Sequence, residues 1–410
     1  MKRYRILTMG CMSLLCNLSA VALARPQDEV SANSPDIASV QSVYDGRVLP
    51  DIQARTFRNI DRLFPTRTVN RDMRGKPLAE DLRNFDDLKI ESDGKAYDIY
   101  DYISLNRIGG LLVLKDDKIV FEDYELGNTP TSRWMSMSVA KSITSTLIGA
   151  AIKDGHIKSI DDDLTVYLPE LKGSAYDGVS VKNLLRMASG VKWDETYTNP
   201  RSDRRRMLEL QQAGKPGEIV KFMASLPRAA PPGTVWNYST GETHIAGALV
   251  RAAVGRPVAE YLSDKIWSKI GAQDDATWWL EAPNGLEVGG SGFSATLRDY
   301  ARFGLFVLNG GKVGDTQVVP EGWFDQAGRP QDLADKTVNY GYMWWPLAAP
   351  AGSPNQDAFQ ARGIFGQSVY VNPRERLVIV HWGARSKPTG IQPVRDPEFY
   401  AAVVRKLQFK

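Results

Sequence analysis

The chain has 410 residues, 43% of them hydrophobic and 24% charged, with a formal charge of +3. That is the composition of a globular protein long enough to bury a large core and to form two lobes. Two cysteines and three histidines, no two histidines close in sequence, leave no zinc-type ligand spacing, so chemistry without metal or cofactor is expected.

The first residues account for the positive balance. Met1 to Arg5 is basic, residues 6–18 are mostly apolar, and Ala22-Leu23-Ala24 offers a small-x-small cleavage site, so residues 1–24 read as a secretory signal with export to the periplasm. Thr8, Ser13, Asn17 and Ser19 dilute the apolar run and argue against an uncleaved anchor. Cleavage after Ala24 would remove Lys2, Arg3, Arg5 and no acid, bringing the formal charge to zero. It would also remove Cys11 and Cys16, both cysteines of the chain. Neither a nucleic-acid partner nor a stable membrane anchor is then expected.

Residues 25–54 are rich in Pro, Asp, Ser and Val without periodicity, and residues 55–100 give no clear pattern. The stretch 25–100 is therefore set apart as an arm, flexible or wrapped on the surface, ahead of a domain over 101–410. Apolar runs at 109–114 and 119–124 around the charged turn Lys115-Asp116-Asp117-Lys118 predict a β-hairpin. Next comes a helix, residues 136–152, apolar nearly all round and so expected to be buried. Its first turn carries Ser138 and Lys141, whose i, i+3 spacing puts them on one face. Desolvation favours the neutral amine, and a neutral amine beside a hydroxyl is a base paired with a nucleophile. A serine N-cap with a neighbouring lysine would show the same spacing. A second Ser-x-x-Lys, Ser92-Asp93-Gly94-Lys95, is polar and glycine-containing and reads as a loop.

From residue 156 to about 282 the pattern is mainly helical, an inserted lobe. Ser180 caps a short helix that ends at Ser189-Gly190; four arginines between 201 and 206 read as a solvated loop or as a cleft rim favouring anions. Pro231-Pro232-Gly233 breaks the chain before helices at about 242–253 and 257–270, and a further helix spans 296–308 after the glycine-rich 289–292. Strands at 367–371 and 377–382 form a hairpin, and a last helix covers about 397–407. The expected class is α+β: an antiparallel sheet from the N- and C-terminal segments, flanked by helices, with the helical lobe inserted and a site in the cleft between.

Gly-x-Ser-x-Gly, His-Glu-x-x-His and a phosphate-binding glycine loop do not occur. A Ser-His-Asp triad through His244 or His381 stays open at this level. Ser138-Val139-Ala140-Lys141 is followed, one hundred residues after Ser138, by Tyr238-Ser239-Thr240. With Leu168-Pro169-Glu170-Leu171, Pro232-Gly233-Thr234 and Gly363-Ile364-Phe365-Gly366-Gln367, these motifs resemble the serine β-lactamase and penicillin-binding-protein superfamily, in its class C β-lactamase and carboxylesterase branch. The resemblance runs from about residue 109 to 410 and is strongest to the 6-aminohexanoate-dimer hydrolases.

The resemblance implies a β-lactamase/transpeptidase-like fold and an acyl-enzyme on Ser138. Lys141 and Tyr238 would be the proton-transfer pair, the phenol acting as phenolate or through Lys141. The backbone N–H groups of Ser138 and Ile364 would form an oxyanion hole beside Gly363, and Tyr197 and Thr240 would contact a small ester or amide substrate. Two positions depart from the pattern. Ala361-Arg362-Gly363 lacks the cationic first residue that helps hold a β-lactam carboxylate, and Thr240 stands where asparagine is usual. The acid that holds a substrate ammonium in the dimer hydrolases has no match among residues 201–208. A β-lactamase or D-amino-acid peptidase of the same fold, or a ligand-binding member without catalysis, are the rival readings. Trp344 and Trp345 are candidates for the cleft lining or the core, and the oligomeric state is open.

Overall fold

The computed structural model describes residues 36–408 apart from 74, 335 and 391; the signal read over residues 1–24 lies outside the described residues. A seven-stranded sheet runs in the order Trp345–Pro346, Phe359–Gly363, Gln367–Asn372, Leu377–Gly383, Ile108–Lys115, Lys118–Tyr124, Ala79–Glu80. Every neighbour is antiparallel except the short edge strand Ala79–Glu80, which pairs parallel with Lys118 and Ile119. The sheet is thus closed by pairing Leu377–Gly383 with Ile108–Lys115, one strand from each end of the domain.

These central strands are unbroken apolar runs because both faces are covered. Leu112, Leu114, Val378 and Val380 face the main core, with the helix Leu297–Leu308 packed on that side. Their alternates Leu111, Val113 and Ile379 enter a second core with Tyr102, Phe399, Tyr400 and Val403, from helices Ile99–Leu105 and Asp396–Gln408.

The helix Val139–Lys153 is buried from Val139 to Ala151. Its polar residues are satisfied by carbonyls: Ser142 Oγ donates to Met343 O (2.7 Å), Thr144 Oγ1 to Gly289 O (2.8 Å) and Ser145 Oγ to Tyr342 O (2.6 Å). It packs against the helix Thr240–Val254 of the inserted lobe.

Three expectations need correction. Residues 40–105 are not a loose arm. They form helices Val40–Tyr44, Pro50–Arg58 and Ile99–Leu105, and a strand Thr66–Val69 in a four-stranded sheet with Ala276–Trp279, Phe293–Thr296 and Arg133–Met135. Val43, Tyr44, Phe57 and Ile60 are buried in the main core. The arginine run at 201–206 is neither loop nor plain rim: Ser202 caps a helix Asp203–Ala213 whose first turn buries Arg204 and Arg205. Arg204 stacks on the Tyr44 ring (4.4 Å) and Arg205 pairs with Asp45 (2.6 Å). The helix read over 257–270 is Val258–Leu262 followed by a π-turn, Ser263–Trp267, where Ser263 Oγ donates back to Ala259 O (2.9 Å).

Candidate active site

Ser138 stands at the N-cap position of its helix, yet its hydroxyl makes no capping bond. The preceding residue, Met137, is held at φ 44°, a left-handed conformation that is costly for a bulky side chain and is fixed here by its burial. The Ser138 hydroxyl is left for Lys141, whose Nζ lies 3.1 Å from Ser138 Oγ, 2.9 Å from Thr240 Oγ1 and 2.9 Å from Gly290 O. Gly290 permits that approach: a Cβ there would lie 3.1 Å from Lys141 Nζ and 2.9 Å from Thr240 Cγ2.

The three contacts fix how a neutral amine must sit. Gly290 O can only accept. Thr240 Oγ1 gives its own proton to Glu195 Oε1 and so also accepts from the lysine. Two N–H bonds are then committed, and the remaining lone pair faces the Ser138 hydroxyl. Burial pulls the Lys141 ammonium down to about 7; Glu195 opposes this and Arg204 adds to it. Near neutral pH the buried amine can therefore take a proton from Ser138.

Glu195 is the hub behind this lysine. Its carboxylate accepts from Thr240 N (2.8 Å) and Trp193 Nε1 (2.5 Å) as well as from the Thr240 hydroxyl. Sequence reasoning missed it. Its neighbour Tyr197 drew the eye, and nothing in the linear order ties Glu195 to Thr240, 45 residues away.

Tyr238 meets the same crevice, with Lys141 Nζ 5.1 Å from its ring centroid. Burial, and then Glu195, push its phenol well above the ordinary range, although the Ser138 hydroxyl, Arg362 and Arg204 pull the other way. The phenol is neutral wherever Lys141 titrates. Its ring is held in an aromatic cluster with Trp236 (6.3 Å), Tyr340 (5.9 Å) and Trp345 (5.6 Å).

The strand Phe359–Gly363 runs past the serine. A Cβ on Gly363 would sit 2.4 Å from Ser136 O and 3.1 Å from Ser138 N, so only glycine lets the two backbones approach. Ile364 follows in the turn and lines the same cleft as Ser138. A cleft of about 300 Å³ opens here, lined among others by Ser138, Tyr197, Tyr238, Trp345, Gly363 and Ile364. Tyr197 is half-buried; it stacks against Tyr44 (6.3 Å), and its carbonyl accepts from Arg205 (3.2 Å). The two tryptophans divide: Trp345 lines the cleft and Trp344 is fully buried in the core.

Neither buried histidine serves Ser138. His381 bridges Gly366 O (3.0 Å) and Tyr400 Oη (2.9 Å), and burial lowers its imidazolium to about 4. His244 lies 3.4 Å from Glu281. The second Ser-x-x-Lys, Ser92 to Lys95, is a tight hairpin turn.

A family model described as Beta-lactamase matches residues 104–398, more than half of the chain. The chain belongs to the beta-lactamase family. Within it, 372 residues are 28% identical to 6-aminohexanoate-dimer hydrolase of Paenarthrobacter ureafaciens, covering 87% of this chain and 92% of that protein. A Bacillus anthracis structure assigned as a 6-aminohexanoate-dimer hydrolase superposes with a TM-score of 0.75 at 22% identity, over 87% of this chain and 95% of its own. A family VIII carboxylesterase follows at 0.56 and 18%, over 73% and 91%. The protein is thus a hydrolase of the beta-lactamase fold family. Against the family pattern its third motif is neutral at the first position, Ala361, which is fully buried. Its second motif ends in Thr240, whose hydroxyl reaches Lys141 only by relaying its own proton to Glu195.

Proposed function

We propose that the protein is an exported serine hydrolase that cleaves an ester or amide bond through an acyl-enzyme on Ser138. The observation that carries this reading is the set of three contacts at Lys141 Nζ, which leaves a buried, neutral amine facing one hydroxyl. Lys141 takes the Ser138 proton as Oγ attacks the substrate carbonyl. The N–H groups of Ser138 and Ile364 hold the oxyanion, an interaction worth about 3–4 kcal/mol per donor in related chemistry. The proton passes through the neutral Tyr238 phenol to the leaving oxygen or nitrogen as its bond to the acyl carbon breaks. Water then attacks the acyl-enzyme, giving its proton to the same pair, and the acid leaves. Tyr197 borders the bound acyl group, while Thr240, expected there from the resemblance, is buried behind Lys141 and acts through it. Esters are the first expectation, because an alkoxide or phenoxide leaves with less help than an amine. The relative's name extends the candidates to amides of amino acids.

The test is one panel on wild type and Ser138→Ala: a fluorophosphonate label read by mass, p-nitrophenyl acyl esters, a chromogenic cephalosporin and 6-aminohexanoate dimer. Wild type is expected to label once and to turn over the esters, and Ser138→Ala to do neither. Absence of labelling would make the chain a binding member of its family, and fast cephalosporin turnover a β-lactamase. Export is checked separately by fractionating cells that express the full chain, with the mature form expected to start at Arg25.

A further inference from the structure

A buried cation is normally set against an acid. Arg204 is not. It is 1% exposed, and among the described residues no carboxylate pairs with it. Its Nη2 donates to Tyr44 Oη, its guanidinium carbon lies 4.4 Å from the Tyr44 ring centroid, and its Nη1 makes no hydrogen bond. The next residue is the contrast: the charge of Arg205 is answered by Asp45 at 2.6 Å. Both arginines reach the helix Val40–Tyr44 and its cap Asp45, but only Arg205 finds a counter-charge there. The other acids close by are engaged, since Asp203 Oδ2 accepts from Asp194 N (2.8 Å) and Asp194 Oδ1 from Thr196 N (2.9 Å).

This unanswered charge stands behind the lysine of the candidate site. The start of helix Asp203–Ala213 grips the segment that carries Glu195: Arg204 N donates to Asp194 O (3.0 Å), Ser202 Oγ to Thr196 O (2.7 Å) and Arg205 Nη1 to Tyr197 O (3.2 Å). That segment delivers Glu195 to Thr240, and Thr240 to Lys141. The charges acting on Lys141, once burial has disfavoured its ammonium, are those of Glu195 and Arg204, and they oppose each other. Burial also keeps the Tyr197 and Tyr238 phenols neutral, and there too Glu195 and Arg204 act in opposite senses. One carboxylate is therefore shared by two bases, and an arginine does not give up its proton. The lysine is the one that can become neutral. We propose that Arg204 is a positioning residue of the reaction: seated on Tyr44 without an ion pair of its own, it anchors the 194–197 segment and offsets the charge of Glu195, so that Lys141 faces Ser138 as a free amine. The inference deepens the serine hydrolase reading and rests on it for the word reaction, but the state of Lys141 can be read without turnover.

Two readouts test it. In kcat/KM against pH for p-nitrophenyl acetate, Arg204→Met is expected to move the rising limb up by about one pH unit and to regain most of the plateau above it. Arg204→Lys keeps a charge without the stacked fork and should leave the limb close to its wild-type position. Arg205→Gln removes a charge that Asp45 already cancels, so it should leave the limb in place as well. The second readout is the Cε resonance of Lys141 in protein carrying 13C-labelled lysine, identified by its loss in Lys141→Met. It should titrate near 7 in wild type and about one unit higher in Arg204→Met. A titration that moves in this way while no variant hydrolyses an ester supports the proposal, and the hydrolase reading alone then fails. A titration that stays put in folded Arg204→Met, or that moves as far in Arg205→Gln, overturns the proposal. Circular dichroism checks folding, and Arg204→Gln, which keeps a donor for Tyr44, is the second neutral variant. If neither neutral variant folds, Arg204 is a staple of the fold and the proposal is overturned too.

Discussion

Lys141 has one lone pair to give and only when it is uncharged, so the pH profile of the enzyme is a direct reading of its surroundings. With the ammonium lowered to about 7 by burial, kcat/KM for a neutral ester is expected to rise with pH through a single limb near 7 and then stay level, because the Tyr238 phenol titrates far above it. The sign follows from the base form being the deprotonated one. Glu195 supplies the test of cause. Its charge favours the ammonium, so Glu195→Gln, which keeps an acceptor for the Thr240 hydroxyl, should move the limb to lower pH. Glu195→Leu leaves the Thr240 proton without an acceptor, frees Thr240 to donate to Lys141 instead, and is expected to lower kcat by at least tenfold. A residue that merely packs would move neither the limb nor kcat in this pattern. Ser138 and Lys141 were legible because one helical turn joins them, and Tyr238 because its motif resembles a known one. Glu195 and the buried Arg204 were not, since each acts through a partner far away in sequence: Thr240 for one, Tyr44 for the other.

Apolar runs set off by charged turns could be read directly as strands, and both hairpins of the main sheet fall within a residue or two of expectation. What could not be read is the turn that carries Ile364. Phe365 has φ 65°, a conformation costly for a bulky residue, and its ring is buried 5.1 Å from that of Phe57. Packing against a helix three hundred residues earlier holds the turn that carries Ile364, the oxyanion donor of the proposed mechanism. The same strand makes the sharpest prediction about a single methyl group. In Gly363→Ala the new Cβ would collide with Ser136 O and crowd the Ser138 N–H, so strand and serine must separate. Loss of one oxyanion donor of this kind costs about 10²–10³ in kcat. The variant is expected to lose that much ester hydrolysis, read as kcat on p-nitrophenyl acyl esters.

The domain boundary placed at residue 101 from composition alone does not survive in three dimensions. Helix Pro50–Arg58 sends Phe57 into the main core, where it meets Trp134 edge-on at 5.6 Å; Trp134 in turn stacks on Trp382 at 5.8 Å, and its indole N–H donates to Gln367. Strand Thr66–Val69 completes the small sheet, and Tyr44 backs Tyr197 at the mouth of the cleft. The stretch lacks periodicity because each short element is shaped by a different neighbour, and composition cannot report that. A chain beginning at residue 101 would expose Trp134, Phe365 and Trp279 together, so it is expected to be insoluble rather than a smaller active enzyme. Phe57→Ala grades the same claim within a folded protein. Truncating a buried phenylalanine costs about 3–5 kcal/mol, so the urea midpoint should fall sharply. Because the cavity opens under Phe365 and hence under the Ile364 turn, kcat for ester hydrolysis should fall as well, in buffer where the variant is still folded. A fall in stability with kcat intact would mean that the turn is held from its own strand, and that the N-terminal helices support the molecule without supporting the site.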